Sequence, residues 1–482
     1  LTAGTDGPVV ANGAPFGRDE VVFVDSRLVP TQWQPRSTES PRSMDGQPGT
    51  MEGRTLSTQE RPRSQVLGDG TTAVRIVVDP LGVAPLQALE PLAPVRATER
   101  SMDNDVLSVR FDDHGSVVSM VHVPSGREIV AQGERANLWQ LHHDLPLEYD
   151  AWDIEEYYRN RVENLDTVES ITLDQDGPLV ARLRVVRTFR GSRLVEVFEL
   201  RSGSARLDVD VALDWHERDH LLKVAWPLDL SASEVTRDIQ YGHITTPIHT
   251  NTTWDLARFE FCAHKWVDLN EGDFGVALLN DGRYGHDATR TRCADGSPST
   301  TLRLSVVKGA RFPDPLADIG EHRFTYSVMP HQGAGRQDVI AESYRLNMPV
   351  TVFDSSPDRS GTPAAHSNRS DRIAGAEVGS DPVVSTAGGS AVVEVVKAAE
   401  DGSGDLIVRA WESLGNRSTT TLRFAFALES ARLTNALEDG DPPSPAPTLE
   451  HTSPDTVLLT LRPFQIATIR VSQRKTHGIQ AE

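Results

Sequence analysis

The stretch DLPLEYDAWDIEEYYR, residues 144–159, sets Tyr149, Trp152, Tyr157 and Tyr158 among Asp144, Glu148, Asp150, Asp153, Glu155 and Glu156. Aromatic rings stack on the CH faces of a sugar and carboxylates accept its hydroxyls, so this mixture suits the floor of a carbohydrate site. It equally suits a polar loop with a few anchors. A second stretch, RFEFCAHKWVDLNEGDFGVALLNDGRYGHD, covers residues 258–287. It ends one strand on His264, Lys265 and Trp266, runs through a second strand, and then sets Arg283 and Tyr284 between Gly282 and Gly285. Glycines there allow an open loop with side chains aimed outward. The plainer reading is a long hairpin with Trp266 in the core. A third stretch, PDPLADIGEH, adds Asp314, Asp318 and Glu321. Its reading as a strand-flanking turn, set by Pro313 and Pro315 and capped by Asp318, outweighs catalysis.

Other chemistries find less support. His142 with Asp144, and His243 with His249, are the pairs that invite a metal, but neither matches the spacing of a helix-borne or cysteine-rich zinc site. No phosphate-binding glycine motif is present, and no G-x-S-x-G nucleophile elbow. Cys262 and Cys293 stand in no nucleophile signature and read as two free thiols in a reducing compartment. Paired carboxylates remain: glycoside hydrolysis needs two, roughly 5–9.5 Å apart. Asp150 and Asp153 are close in sequence and bracket Trp152, which would anchor their loop.

The elements that must carry these residues are strands. Over residues 206–215, RLDVDVALDW, Leu207, Val209, Val211, Leu213 and Trp215 fall on one face, and Arg206, Asp208, Asp210 and Asp214 on a face that reads as wet. With VARLRVVRTF and RLVEVFELR before it, this is a meander. VLSVRFDDHGSVVSMVHV reads as a hairpin turning at residues 113–115, and the clearest helix is at residues 335–347. Six of the eight tryptophans lie between Trp139 and Trp266, so ligand-stacking side chains concentrate in the middle of the chain.

Composition sets the outer bounds. The chain has 482 residues, 38% of them hydrophobic, enough for several domains with real cores. Its formal net charge of −21 argues against nucleic acid or an anionic membrane as partner. No apolar run approaches the ~18 residues of a membrane span. The opening LTAGTDGPVVANG has no signal-peptide pattern and no initiating Met. The expectation is a cytoplasmic protein of which this is a fragment. The domain expectation is a small β unit over 1–98 with a disordered insert at about 34–65, a large β domain over 100–350, a linker at 355–371 and a β-sandwich over 372–475.

Taken together, DAWDI, FEFCAHKWVDLNEGDFGVALLNDGRYGHD and PDPLADIGEHRFTYSVMPH resemble the C-terminal half of the α-mannosidases of glycoside hydrolase family 38, in the bacterial and cytosolic branch. VVANGAPFGRDEVVFVD resembles that family's first β-domain, and AVVEVVKAAEDGSGDLIVRAWES its last. The resemblance implies a mainly β, antiparallel chain with a central galactose-mutarotase-like supersandwich and a C-terminal β-sandwich. It implies that the catalytic β/α barrel, with the nucleophile, the acid/base aspartate and the zinc ligands, lies outside this chain. The complete enzyme would be a zinc-dependent retaining exo-α-mannosidase acting on an α-mannoside or oligomannose substrate, with zinc held by the other half and none by this chain. Carried over to this sequence, the resemblance places Asp150, Trp152 and Asp153 on one rim of the sugar site. Asn280, Asp281, Arg283 and Tyr284 would line the opposite edge; the family often has Lys or another polar residue where Arg283 stands. Three other readings stand beside it. One is a carbohydrate-binding β module without turnover. Another is a structural module serving packing and homo-oligomerisation. The last is a metal-free epimerase using His264 with Asp281, or His322 with Glu321.

Overall fold

The computed structural model describes residues 7–29, 63–333, 336–355 and 382–474. Alternation of apolar and polar residues is realised as antiparallel pairing throughout, and no β/α barrel occurs among the described residues. The expected meander forms: Val180–Phe189, Ser192–Arg201 and Leu207–Trp215 pair in sequence, and Leu207–Trp215 then pairs with Gly320–Gln332. These strands belong to a nine-stranded sheet that continues through Phe274–Asn280, Trp266–Glu271 and Glu234–Ile239 to Gly242–Pro247. A six-stranded sheet is centred on His220–Leu228, Pro298–Lys308 and Gly285–Arg292. The two sheets share one core. Leu222, Val224, Trp226 and Leu304 come from the six-stranded sheet, and Val209, Leu213, Leu278 and Val328 from the nine-stranded one. This is the supersandwich that the resemblance implies. The hairpin of Leu107–Phe111 and Val117–His122 closes one side as part of a five-stranded sheet.

Parity along a strand decides which residues enter that core, and neighbours elsewhere in the chain decide what the other face meets. Trp266, Ala277, Leu279 and Met329 point away from the shared core, yet they are buried beneath Val339, Ile340 and Tyr344 of the Gln337–Asn347 helix. The same helix corrects one expectation. Arg206 and Asp208 were expected on a wet face, but both are buried. Arg206 Nε donates to Asp208 Oδ1 at 2.7 Å, and its Nη1 donates to Glu342 of the helix at 2.7 Å. The helix covers that end of the strand, and the charges survive burial because they are paired.

Two smaller units flank the supersandwich. Pro8–Ala11 pairs with both Val83–Pro85 and Thr351–Asp354, which ties the start of the chain to the far end of the large domain. A β-sandwich of two four-stranded sheets lies within residues 384–473. Its loops are held by Glu412, a buried carboxylate that accepts the backbone N–H groups of Leu414, Gly415, Asn416 and Phe464. The expected insert at about 34–65 falls mostly outside the described residues, although its last two, Ser64 and Gln65, open the Ser64–Val66 strand. Of the expected linker at 355–371, only Ser355 is described. Both cysteines are unpaired, Cys262 exposed and Cys293 buried. Among the described residues no helix is long and apolar enough to cross a membrane.

Candidate functional site: two loops on one connection

The first loop follows Leu138–His143, a strand of the six-stranded sheet. Tyr149 takes a left-handed backbone (φ 53°), and its carbonyl accepts the N–H of Trp152 at 2.7 Å and of Asp153 at 2.9 Å. This tight turn presents residues 150–153 together. Asp150 accepts the backbone N–H of Arg311 at 2.7 Å and of Phe312 at 3.0 Å, so its carboxylate holds a neighbouring segment in place. The Asp153 carboxylate is exposed and, among the described residues, bonds only within its own turn, to the N–H of Ile154 at 3.0 Å. Lys308 ties the loop down, bonding Asp144 and donating to the Asp153 carbonyl at 2.7 Å. Burial pushes the Asp144 carboxyl up, with Lys308 opposing it.

Trp152 does not anchor this loop, contrary to the expectation from sequence: its ring is 72% exposed. The anchor is Tyr158, buried at the far end of the stretch. Its hydroxyl bonds Glu260 and lies 3.0 Å from Lys223 Nζ, and burial pushes its pKa up to about 12. Trp152 instead joins Leu147, Tyr149, Phe312 and Leu316 as large apolar side chains left exposed on this loop and the segment it holds. Trp152→Ala is therefore expected to change stability by no more than about 0.5 kcal/mol, the range for surface positions. A loss of several kcal/mol in urea unfolding would show that the ring is packed.

The second loop follows Phe274–Asn280 in the nine-stranded sheet. Asn280 is buried and builds the turn: Oδ1 accepts the N–H of Gly282 at 3.0 Å and of Arg283 at 2.7 Å, and Nδ2 donates to the His264 carbonyl at 2.8 Å. Asn347, at the end of the long helix, donates to the Asn280 carbonyl at 3.0 Å. Asn280, Asp281 and Tyr284 line a cleft of about 310 Å³, at the small end of ligand-binding cavities. His264 and Lys265 form the adjoining wall. The Tyr284 ring packs 5.3 Å from that of His264, and Lys265 Nζ sits 4.2 Å from the Tyr344 ring centre. The C-terminal sandwich closes the far side with Trp411 and Glu394, where Trp411 Nε1 donates to Glu394 at 3.1 Å. Asp238, held up mainly by burial and opposed by Lys265, completes a polar cleft with aromatic walls.

Arg283 is not part of this lining. Its guanidinium turns to His322 Nδ1 at 3.3 Å and stacks on Phe324 at 4.6 Å, and burial lowers its pKa. It faces the connection of residues 309–319, where Asp318 lies in its field. That connection joins the two loops: Asp150 grips its start, and Arg283 with His322 meets its end, His322 Nε2 lying 2.7 Å from the Asp318 carbonyl. Within it, Asp314 rather than Asp318 caps the turn, accepting the N–H of Leu316 at 2.9 Å. Among the described residues no hydrogen bond or ion pair joins the two loops directly. The pairs proposed for epimerase chemistry do not assemble. Asp281 accepts the Thr325 N–H at 2.9 Å rather than meeting His264, and His322 turns to Asp318 and Arg283 rather than Glu321.

The metal candidates do not converge either. His142 packs edge-on against Tyr158, whereas His243 lies between Trp266 and Phe464 and His249 beside Asp255. Among the described residues no group of three or more His, Cys, Asp or Glu side chains is placed to hold a metal. What sequence reasoning missed is a buried charged cluster on the outer face of the six-stranded sheet. Lys223 Nζ lies 2.6 Å from Asp287 and also bonds Glu260, and Arg303 reaches Asp287 at 3.0 Å. Its signal was available: Lys223 stands alone in the apolar run HLLKVAW.

Comparison with known proteins agrees with this architecture. Residues 102–316 match the glycosyl hydrolases family 38 C-terminal domain, and residues 390–469 match the family 38 C-terminal beta sandwich domain. The chain is 32% identical over 400 residues to alpha-mannosidase 2C1 of Homo sapiens, covering 82% of this chain and 36% of that protein. It is 30% identical over 380 residues to alpha-mannosidase G of Dictyostelium discoideum, covering 77% of this chain and 32% of that protein. It thus spans about a third of the length of these relatives. The fold superposes on the crystal structure of an alpha-mannosidase from Enterococcus faecalis V583 with a TM-score of 0.65 at 17% identity, over 96% of this chain and 56% of that one. With both C-terminal domain types matched in order and the fold shared along nearly its whole length, the chain belongs to glycosyl hydrolase family 38, of which it carries the C-terminal β-domains.

Proposed function

We propose that this chain is the C-terminal part of a zinc-dependent retaining exo-α-mannosidase that removes terminal α-linked mannose from oligomannosides or glycans. In this reading the chain supplies the β scaffold and the rim of the sugar site, and nucleophile, acid/base and zinc ligands lie in sequence outside it. The observation that carries it is the 32% identity over 400 residues to a protein named alpha-mannosidase 2C1, two thirds of whose length the match leaves uncovered. The exposed apolar side chains of the first loop and of the segment it holds support it, since Leu147, Trp152 and Phe312 suit a face that the rest of the enzyme covers. The free thiols agree with a cytoplasmic setting.

The rim roles divide by what each side chain is free to do. Asp153 and Tyr284 are exposed and available to a sugar hydroxyl and a sugar face. Asp150 and Asn280 are committed to backbone N–H groups and act as positioning residues. In the complete enzyme, Asp153→Asn and Tyr284→Ala are each expected to lower kcat/KM about 10-fold, or ~1.4 kcal/mol, with the melting temperature unmoved. If both variants keep kcat/KM within about twofold, the rim assignment fails. A second reading, a carbohydrate-binding module without turnover, draws on the aromatic walls of the 310 Å³ cleft. It requires mannoside binding by this chain alone, weakened by Tyr284→Ala.

A further inference from the structure

A second cleft, of about 390 Å³, opens beside the outer face of the six-stranded sheet. In a chain of net charge −21, its lining includes four arginines, Arg159, Arg237, Arg258 and Arg290. Arg159 is already engaged, donating to the Phe259 carbonyl at 2.6 Å and lying 3.5 Å from Asp287. The other three are different. Among the described residues the side chains of Arg237, Arg258 and Arg290 make no hydrogen bond or ion pair. Arg237 is half-buried and lies over the Phe261 ring at 5.0 Å. Burial pulls its pKa down, and the nearby Arg258 adds to the effect.

The two acids of the lining do not relieve this. Asp255 accepts from Thr252 Oγ1 at 2.7 Å, lies 3.4 Å from His249 and sits in the field of Arg258 but not of Arg237. Glu260 is taken up by Lys223 and Tyr158. A half-buried guanidinium without a counter-charge is costly, and here the chain has acids to spare yet, among the described residues, places none against Arg237. Guanidinium groups offer paired N–H donors that match phosphate oxygens two at a time.

We propose that this cleft binds a phosphate dianion, free or carried as a monoester on a small sugar, through Arg237, Arg258 and Arg290. The inference does not rest on the mannosidase reading. The test is calorimetric titration of the 482-residue chain at ionic strength fixed with sodium chloride, using orthophosphate, glucose 6-phosphate and glucose. Saturable binding of orthophosphate and glucose 6-phosphate, with none of glucose, is expected. A tighter glucose 6-phosphate identifies a sugar phosphate as the ligand, and equal affinities identify free phosphate. Arg237→Ala is expected to weaken binding at least 10-fold, and Arg237→Lys to recover only part of it, because the charge returns without the paired donors. Arg258→Ala and Arg290→Ala, both at exposed positions, give the same reading if Arg237→Ala does not fold. Absence of saturable phosphate binding, or binding unchanged in folded arginine variants, overturns the proposal.

Discussion

Replacing Asp287 by alanine is expected to lower the stability of this chain by about 3–5 kcal/mol, the usual cost of breaking a buried ion pair from one side. Asp287 is fully buried on the outer face of the six-stranded sheet. Three cations share it: Lys223 at 2.6 Å, Arg303 at 3.0 Å and Arg159 at 3.5 Å. Burial alone would push the Asp287 carboxyl up, but Lys223, then Arg303 and Arg159, outweigh it and hold the pKa well below the usual carboxylate range. Burial likewise opposes the charge on Lys223, and Asp287 and Glu260 overcome it. Without Asp287, Lys223 keeps Glu260 as its nearest acid, and the two arginines lose their shared partner. Asp287→Asn should cost nearly as much, since it keeps the shape and removes the charge. The sign with pH follows from the depressed folded pKa: this contribution is present above about 3.9, the unfolded value, and is lost only as pH falls through the lower folded one. Urea unfolding at pH 7 measures the cost. A loss under about 1 kcal/mol for Asp287→Ala would mean that the cluster is solvated rather than buried.

Between pH 7 and 5 two buried histidines are expected to take about 4 kcal/mol of stability from the chain. His142 and His286 are buried, and no hydrogen bond satisfies either ring nitrogen of His142 or Nε2 of His286 among the described residues. Burial lowers the pKa of His142 to about 3 and of His286 to about 4. The unfolded chain binds a proton at each near pH 6.5, whereas the folded chain does not until pH 4 or below. Stability is therefore full above about pH 6.5 and falls as pH drops, by ~1.4 kcal/mol per pH unit for each histidine. At pH 5 that is ~2 kcal/mol each. Glu260 and Asp210, both pushed up mainly by burial and Asp210 to about 6, act in the opposite sense, so the histidine contribution is read as the difference between parent and variant. The check is urea unfolding at pH 7, 6 and 5 for the parent and for His142→Leu and His286→Leu. Each variant should lose ~2 kcal/mol less than the parent between pH 7 and 5. Variants that keep the pH dependence of the parent would contradict the burial of these rings as described.

How much of this was legible in the sequence follows from what alternation encodes. Strand parity placed Leu207, Val209, Val211, Leu213 and Trp215 in the shared core correctly, because side chains on one face of a strand share their fate. Parity says nothing about what covers the opposite face. Arg206 and Asp208 were read as wet because their cover, the helix carrying Glu342, lies more than a hundred residues away. Lys223 was overlooked for the same reason: Tyr158 and Glu260 close over it from two separate segments. The helix expected at residues 335–347 appears as Gln337–Asn347. The orientation of single side chains was not legible. Trp152 and Tyr158 are both aromatic residues of one loop, and only the presence of Lys223 beneath Tyr158 determines which of them is the anchor. Arg283 sits in the expected loop, but Phe324 draws it to the other side of the strand end.

Hydrolysis of 4-nitrophenyl α-mannoside, measured with added zinc for the purified 482-residue chain and for the same chain preceded by its natural upstream sequence, separates the alternatives. Turnover is expected from the longer protein and none from this chain. Zinc-stimulated turnover by the 482-residue chain alone, abolished by substituting one of its own carboxylates, would contradict that expectation.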